Sequence, residues 1–139
     1  MDRSQLLTEL VDEVFRVNAA LLAEGDALAA GIGTTAAGWR VLGLLSDGAA
    51  TVADIARRRG LRRQSVRETV ERLERDGLVA REPNPADRRA PLVALTARGG
   101  AALRDIEPAR ADWAARRSAD LDPADLVAAL RLLRRLRAD

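Results

Sequence analysis

The stretch between Val52 and Thr96 restricts the fold of this chain more than any other feature. It runs as a short apolar-periodic segment, a glycine, a second periodic segment, another glycine, and two β-prone segments separated by a proline-rich loop. In the first segment, Val52, Ile55 and Ala56 share one side, and Thr51 is placed to cap it. It ends near Arg59, where Gly60 suits the left-handed position past a helix C-terminus. The second segment begins after a minimal turn. Two helices joined by so short a glycine-containing turn have helix-turn-helix spacing, and a hairpin is expected to follow.

The second helix, read from Arg62 to Asp76 and Gly77, is amphipathic. Val66, Val70 and Leu73 recur at i, i+4 and i+7 and require a core. Gln64, Arg67, Glu68, Glu71 and Arg75 fall on the opposite arc, with Arg63 at its edge. These are side chains that read base edges: Arg reads guanine, Gln adenine and Glu cytosine. The arc has a plainer reading as a solvated face laced with ion pairs. Glu68 and Arg72 stand at i, i+4 in the favourable order, as do Glu71 and Arg75. For an isolated helix the plainer reading prevails; the context changes the balance. Residues 78–82 and 92–95 read as paired strands, and the loop between them has nine residues, against about 2–5 in a common hairpin. Three prolines stiffen it, and Arg88 and Arg89 sit near its tip. A stiff loop displaying arginine has the form of a wing whose cation enters a minor groove. The competing reading is a variable surface loop with incidental charge.

Charge distribution supports the first reading. Net charge is only +2, and every basic side chain is arginine. Residues 57–98 hold 12 arginines against 6 acids, a balance of +6, while the rest of the chain carries −4. A coding preference for arginine would not confine the excess to one third of the chain. Concentrated basic charge on an otherwise acidic body is the footprint of a nucleic-acid-facing region. Cysteine and histidine are absent, which excludes a disulfide framework, a thiol sensor and the commonest metal ligands and general bases. No metal or cofactor is expected. The N-terminal residues are acidic and lack a leader-type apolar run, and no apolar run reaches membrane-spanning length, so a cytoplasmic protein without membrane contact is expected.

The flanks read as helices. Residues 4–30 form one long amphipathic helix with Ser4 as N-cap and a stripe that includes Leu6, Leu7, Val11, Phe15, Leu21 and Leu22. It overhangs what a small domain can cover, and a second copy of the chain is the simplest surface to meet it. Gly31 and Gly33 stop it. The string from Gly31 to Ala36 fits G-x-G-x-x-A, but neither a preceding strand nor a βαβ unit is present, and the dinucleotide reading is rejected. Thr34 or Thr35 caps a helix running to about Ser46. After the hairpin, Thr96 caps a helix interrupted near Gly99, Gly100 and Pro108, and Asp122 caps a last one with Pro123 at its first position. Leu126, Leu130, Leu133 and Leu136 make its stripe, flanked by arginines read as solvated.

This order of elements resembles the MarR family of winged-helix transcriptional regulators, over most of the chain. The resemblance lies in Trp39-Arg40-Val41-Leu42 with Leu45 and Gly48, in Val52-Ala53-Asp54-Ile55-Ala56, and in the run from Val66 to Arg81. Its sharpest part is Asp87-Arg88-Arg89 followed by Val93-Ala94-Leu95-Thr96 and Gly99, similar to the family's D-x-R wing and V-x-L-T-x-x-G exit. It implies a mostly α fold with a small β-hairpin wing: a winged helix-turn-helix DNA-binding region at 34–96, and dimerisation helices at 4–30 and 97–138, within a single domain spanning 1–139. It implies a homodimer on a pseudo-palindromic operator in double-stranded DNA, acting as a repressor. The DNA-binding residues would be Arg62, Arg63, Gln64, Ser65, Arg67, Glu68, Glu71, Arg72, Arg88 and Arg89. Arg89 would reach the minor groove, and Asp87 would hold the wing. Family members commonly release DNA when a small, often aromatic or phenolic, molecule binds between the dimer helices and the winged domain. Arg16, Asn18 and Trp39 are candidate pocket residues here, although Trp39 also reads as core and the other two as solvated. The chain departs from the family at Arg62, where a Ser or Thr cap is common, at Arg67-Glu68, and at Gly38, where Gln is common.

Two other classes were weighed. An enzyme is poorly supported without His, Cys or Tyr and without carboxylates isolated on an apolar face. A winged-helix module for protein contacts, without specific DNA binding, is the alternative that fold alone leaves open. The basic wing speaks against it.

Overall fold

The computed structural model describes residues 1–138. The elements in chain order are α1 (Arg3–Ala30), α2 (Ala36–Leu45), α3 (Val52–Arg59), α4 (Arg63–Arg75), β1 (Val79–Glu82), β2 (Leu92–Leu95), α5 (Ala97–Ser118) and α6 (Pro123–Arg137). The chain divides into two compact units, Met1–Glu107 and Pro108–Asp139. Among the described residues no helix is long and apolar enough to cross a membrane, and no acidic cluster is arranged to hold a metal ion.

In the first unit, α2, α3 and α4 surround one core with the hairpin. Leu42, Ile55, Val66, Val70, Leu73 and Val93 are essentially inaccessible. The predicted i, i+4, i+7 stripe of α4 thus supplies three of the core's central side chains. Thr35 caps α2, its side chain accepting from Gly38 N–H. Asp26, reaching across from α1, accepts from Ala36 N–H at 2.7 Å, so two side chains serve the same helix start. α1 and α2 cross closely there: a Cβ on Gly25 would lie 2.9 Å from the Ala36 methyl. Gly60 closes α3 in the left-handed conformation (φ 64°), where a side chain would be strained. Its turn delivers the chain directly into α4.

The hairpin pairs Val79 with Leu95, Ala80 with Ala94, Arg81 with Val93 and Glu82 with Leu92. A further rung, on the other edge of β2, is not legible in the sequence. Ala50 exchanges both backbone hydrogen bonds with Val93, at 3.1 and 2.8 Å, and so fastens the α2–α3 connection to β2.

Two sequence expectations are corrected. Asp2, not Ser4, is the N-cap of α1: its carboxylate accepts from Gln5 N–H, and the Gln5 side chain accepts in return from Asp2 N–H. Ser4 instead donates to the Asp2 carboxylate. A carboxylate with a glutamine three residues on makes a reciprocal box that Ser4 cannot match. The interruption expected near Gly99, Gly100 and Pro108 is also absent, since α5 is continuous. Gly99 is there because of packing. A Cβ at this position would collide with the Leu78 carbonyl oxygen, whereas one on Gly100 would meet only an arginine tip at 3.6 Å. Around that approach, Thr96 hydroxyl donates to Gly77 C=O at 2.6 Å, Gly99 N–H donates back to the same hydroxyl, and Thr96 N–H donates to Leu78 C=O.

The long α1 leaves most of its apolar stripe uncovered in the single chain, with Phe15 70% exposed. In the second unit, Asp122 caps α6 by accepting from Ala124 N–H, and Pro123 occupies the first turn. Leu126, Val127, Leu130, Leu133 and Leu136 of α6 are all exposed.

The adjacent glycines give opposite expectations. Gly99→Ala forces backbone away from backbone and should destabilise the protein by about 1–3 kcal/mol. Gly100→Ala should be neutral or stabilising by about 0.5–1 kcal/mol, because alanine is the better helix former. Urea unfolding of the two variants checks this; equal effects would rule out the close approach.

Candidate nucleic-acid interface

α3 presents α4 outward. Asp54, in the first turn of α3, accepts from Arg57 at 3.0 Å, and this hydrogen bond holds its carboxyl below the usual carboxylate range. The Asp54 charge is thus secured at a helix N-terminus, where it is favourable. Arg62 is the N-cap of α4 and makes no side-chain capping bond, and no acid stands in the first turn. The opening N–H groups of this helix therefore lack the side-chain acceptor that Ser or Thr would supply.

Arg62, Arg63, Gln64, Ser65, Arg67, Glu68, Glu71 and Arg72 are all exposed. A short chain of hydrogen bonds orders three of them: Arg67 Nη1 donates to Gln64 Oε1 at 3.0 Å, and Gln64 Nε2 donates to Glu68 Oε1 at 3.2 Å. The ion pairs that the plainer reading of this face requires do not form. Neither Glu68 with Arg72 nor Glu71 with Arg75 closes a salt bridge among the described residues. None of the four arginines of α4 is ion-paired with one of its three glutamates among the described residues.

The loop from residue 83 to 91 is tied by two side chains. Asn84 Nδ2 donates to Ala90 C=O at 2.9 Å, while its Oδ1 accepts from Ala86 N–H. Asp87 Oδ1 accepts from Arg89 N–H at 2.9 Å, and Ala90 N–H donates to Asp87 C=O. The loop is thus closed on itself by short local bonds, and Asp87, Arg88 and Arg89 all remain exposed. Asp87 bonds the backbone of the arginine two residues on.

Two hollows, each of about 260 Å³, flank α4. One lies toward the start of α2 and is lined by Thr34, Thr35, Ser65 and Thr69 together with Glu68 and Arg72. The other lies toward the wing, between the start of α3 and the hairpin, and is bordered by Arg63, Arg67, Arg81 and Arg89. Arg81 was not singled out by sequence reasoning. Strand alternation was the available signal, since Arg81 shares a face with the buried Val79, although Arg81 itself is exposed. Its Nε lies 3.4 Å from Glu74 Oε1, an ion pair between strand and helix. Arg16 and Asn18 are exposed on α1 and Trp39 is half-buried on α2; neither hollow is lined by them.

A MarR family sequence profile matches residues 32–90, from the end of α1 through the wing tip. An uncharacterised protein of Mycobacterium tuberculosis is 39% identical over 134 residues, covering 96% of this chain and 93% of that protein. Among solved structures, Bordetella bronchiseptica BpsR, described with a mechanism for regulation of its DNA binding by 6-hydroxynicotinic acid, is 29% identical with a TM-score of 0.77, covering 96% of this chain and 99% of BpsR. A mutant E. coli MarR complexed with operator DNA is 22% identical with a TM-score of 0.84, covering 98% and 99% of the two chains, and shows the shared fold. The helix-turn-helix, the closed wing and the matching profile lead to one assignment: this chain belongs to the MarR family of transcription regulators.

Proposed function

We propose that this protein regulates transcription by binding a pseudo-palindromic operator in double-stranded DNA as a homodimer, with α4 in the major groove and the wing in the adjacent minor groove. The observation that carries this reading is the exposed arginine of α4 and the wing, free of ion pairs among the described residues and presented on a helix and a loop that are both held by hydrogen bonds. The assigned contacts are Arg62, Arg63, Gln64, Ser65, Arg67, Glu68, Glu71, Arg72, Arg88 and Arg89. Gln64 and Glu68, hydrogen-bonded to each other on the outer arc, are the base readers, and Arg89 is the minor-groove residue. The exposed apolar stripe of α1 and that of α6 are the surfaces that pairing of two copies would cover, which makes 4–30 and 97–138 the dimerisation segments and 34–96 the DNA-binding region.

Repression is the proposed outcome: a dimer seated on an operator excludes other proteins from the same DNA. Release by a small aromatic or phenolic molecule is the proposed control. It is supported by the regulation of BpsR by 6-hydroxynicotinic acid, with Arg16, Asn18 and Trp39 as candidate contacts. The alternative module for protein contacts predicts no binding to random duplex at low salt, and no observation favours it.

Arg89→Ala should weaken operator binding about tenfold or more at fixed salt, the scale of a lost charged hydrogen bond, while sedimentation shows an unchanged oligomer. Asp87→Ala should weaken binding similarly by loosening the loop, and Asp87→Asn should largely restore it, because the amide oxygen can still accept from Arg89 N–H. Wild-type affinity in Arg89→Ala would remove the wing from the mechanism. Gln64→Ala should reduce discrimination at one position of each half-site by about 1–3 kcal/mol without changing the salt dependence; a uniform loss across all sequences would instead make Gln64 a backbone contact.

A further inference from the structure

The hollow between α4 and the wing is lined by four arginines, Arg63, Arg67, Arg81 and Arg89, and by no acidic residue. Glu74 is ion-paired with Arg81 at 3.4 Å and Gln64 accepts from one Nη of Arg67, while Arg63 and Arg89 make no side-chain hydrogen bond or ion pair among the described residues. Four like charges around one space repel each other, and an anion placed among them relieves that repulsion. The remaining wall includes the start of α3, with Thr51, Val52 and Ala53. At about 260 Å³ the space would otherwise hold several waters.

We infer that this cleft is a phosphate seat: it grips a single phosphodiester of the DNA strand as that strand passes from the groove read by α4 to the groove entered by the wing. The inference rests on the DNA-binding reading above and deepens it. Arg81 becomes a DNA-contacting residue, although it lies on neither the recognition helix nor the wing tip. Arg63 and Arg67 become strand-positioning residues, leaving base discrimination to Gln64 and Glu68. A planar guanidinium suits this task, because two parallel N–H groups can match two phosphate oxygens. The pairing with Glu74 keeps the Arg81 side chain close to α4, so the seat is partly formed before DNA arrives.

The test uses a duplex that the wild-type protein selects from a random-sequence pool, remade with each backbone phosphate in turn replaced by a neutral methylphosphonate. Wild-type protein should lose about tenfold in affinity at one phosphate per half-site. Arg81→Gln, which removes the charge and keeps a polar side chain, should bind the unmodified duplex with a similar loss and be markedly less sensitive to that same replacement, while remaining fully sensitive elsewhere. Its log–log salt slope should also fall by about one per protomer. Arg63→Gln, on a different element, should show the same reduced sensitivity. Unaltered sensitivity of both variants at every phosphate would overturn the seat while leaving DNA binding itself intact. Recovery of no duplex by wild-type protein would overturn both readings together. Inorganic phosphate displacing the duplex more strongly than chloride at equal ionic strength would assign the cleft to a free anion and overturn its assignment to the strand.

Discussion

The contact between Gly99 and the Leu78 carbonyl is the constraint from which the geometry of the interface follows. At this place the end of α4, the start of β1, the end of β2 and the start of α5 meet within a few residues. The Thr96 hydroxyl spans them, donating to Gly77 C=O and accepting from Gly99 N–H, while Thr96 N–H reaches Leu78 C=O. Any side chain at position 99 would push the hairpin away from α5. The rung between Ala50 and Val93 adds a second anchor, to the connection ahead of α3. The hairpin is thereby fixed against the helix-turn-helix at its base, and the cleft between α4 and the wing has defined walls. A two-stranded hairpin alone would be marginal.

Electrostatics then follow from which charges the fold separates. The sequence places acids at helical spacing from the arginines of α4, but the side chains find other partners: Glu68 bonds Gln64, and Glu74 reaches the strand to meet Arg81. Exposed pairs of this sort contribute little to stability, so leaving them unmade costs the fold little and leaves cationic surface available to a ligand. The local excess of arginine is therefore not cancelled by its neighbours. Arg62 has a related effect, since a residue that cannot cap leaves the start of α4 without an internal acceptor.

The helices and the hairpin were legible because their signals are periodic and local. The i, i+4, i+7 spacing of Val66, Val70 and Leu73, the glycine at position 60 and the nine-residue loop each state their structure within a short window. What the sequence did not disclose depends on tertiary approach. Gly99 and Gly100 look like a helix break when read locally, and only the position of Leu78 distinguishes the one that must be glycine from the one that need not be. Arg81 looked like an ordinary strand residue because its place in the cleft depends on which face of the hairpin meets α4. Asp2 displaced Ser4 as the helix cap for a local reason, since its pairing with Gln5 satisfies two donors at once. The exposed stripes of α1 and α6 match the pattern read from the sequence, each in its own unit.

In the proposed function, two copies of the chain present paired recognition helices and wings to DNA. Selection of bound fragments from a random duplex pool tests it most directly. Enrichment of a sequence with two inverted half-sites about 10–10.5 base pairs apart, centre to centre, or a multiple of that spacing, is the predicted result. Recovery of fragments with no shared sequence, or of a single unpaired site, would contradict it.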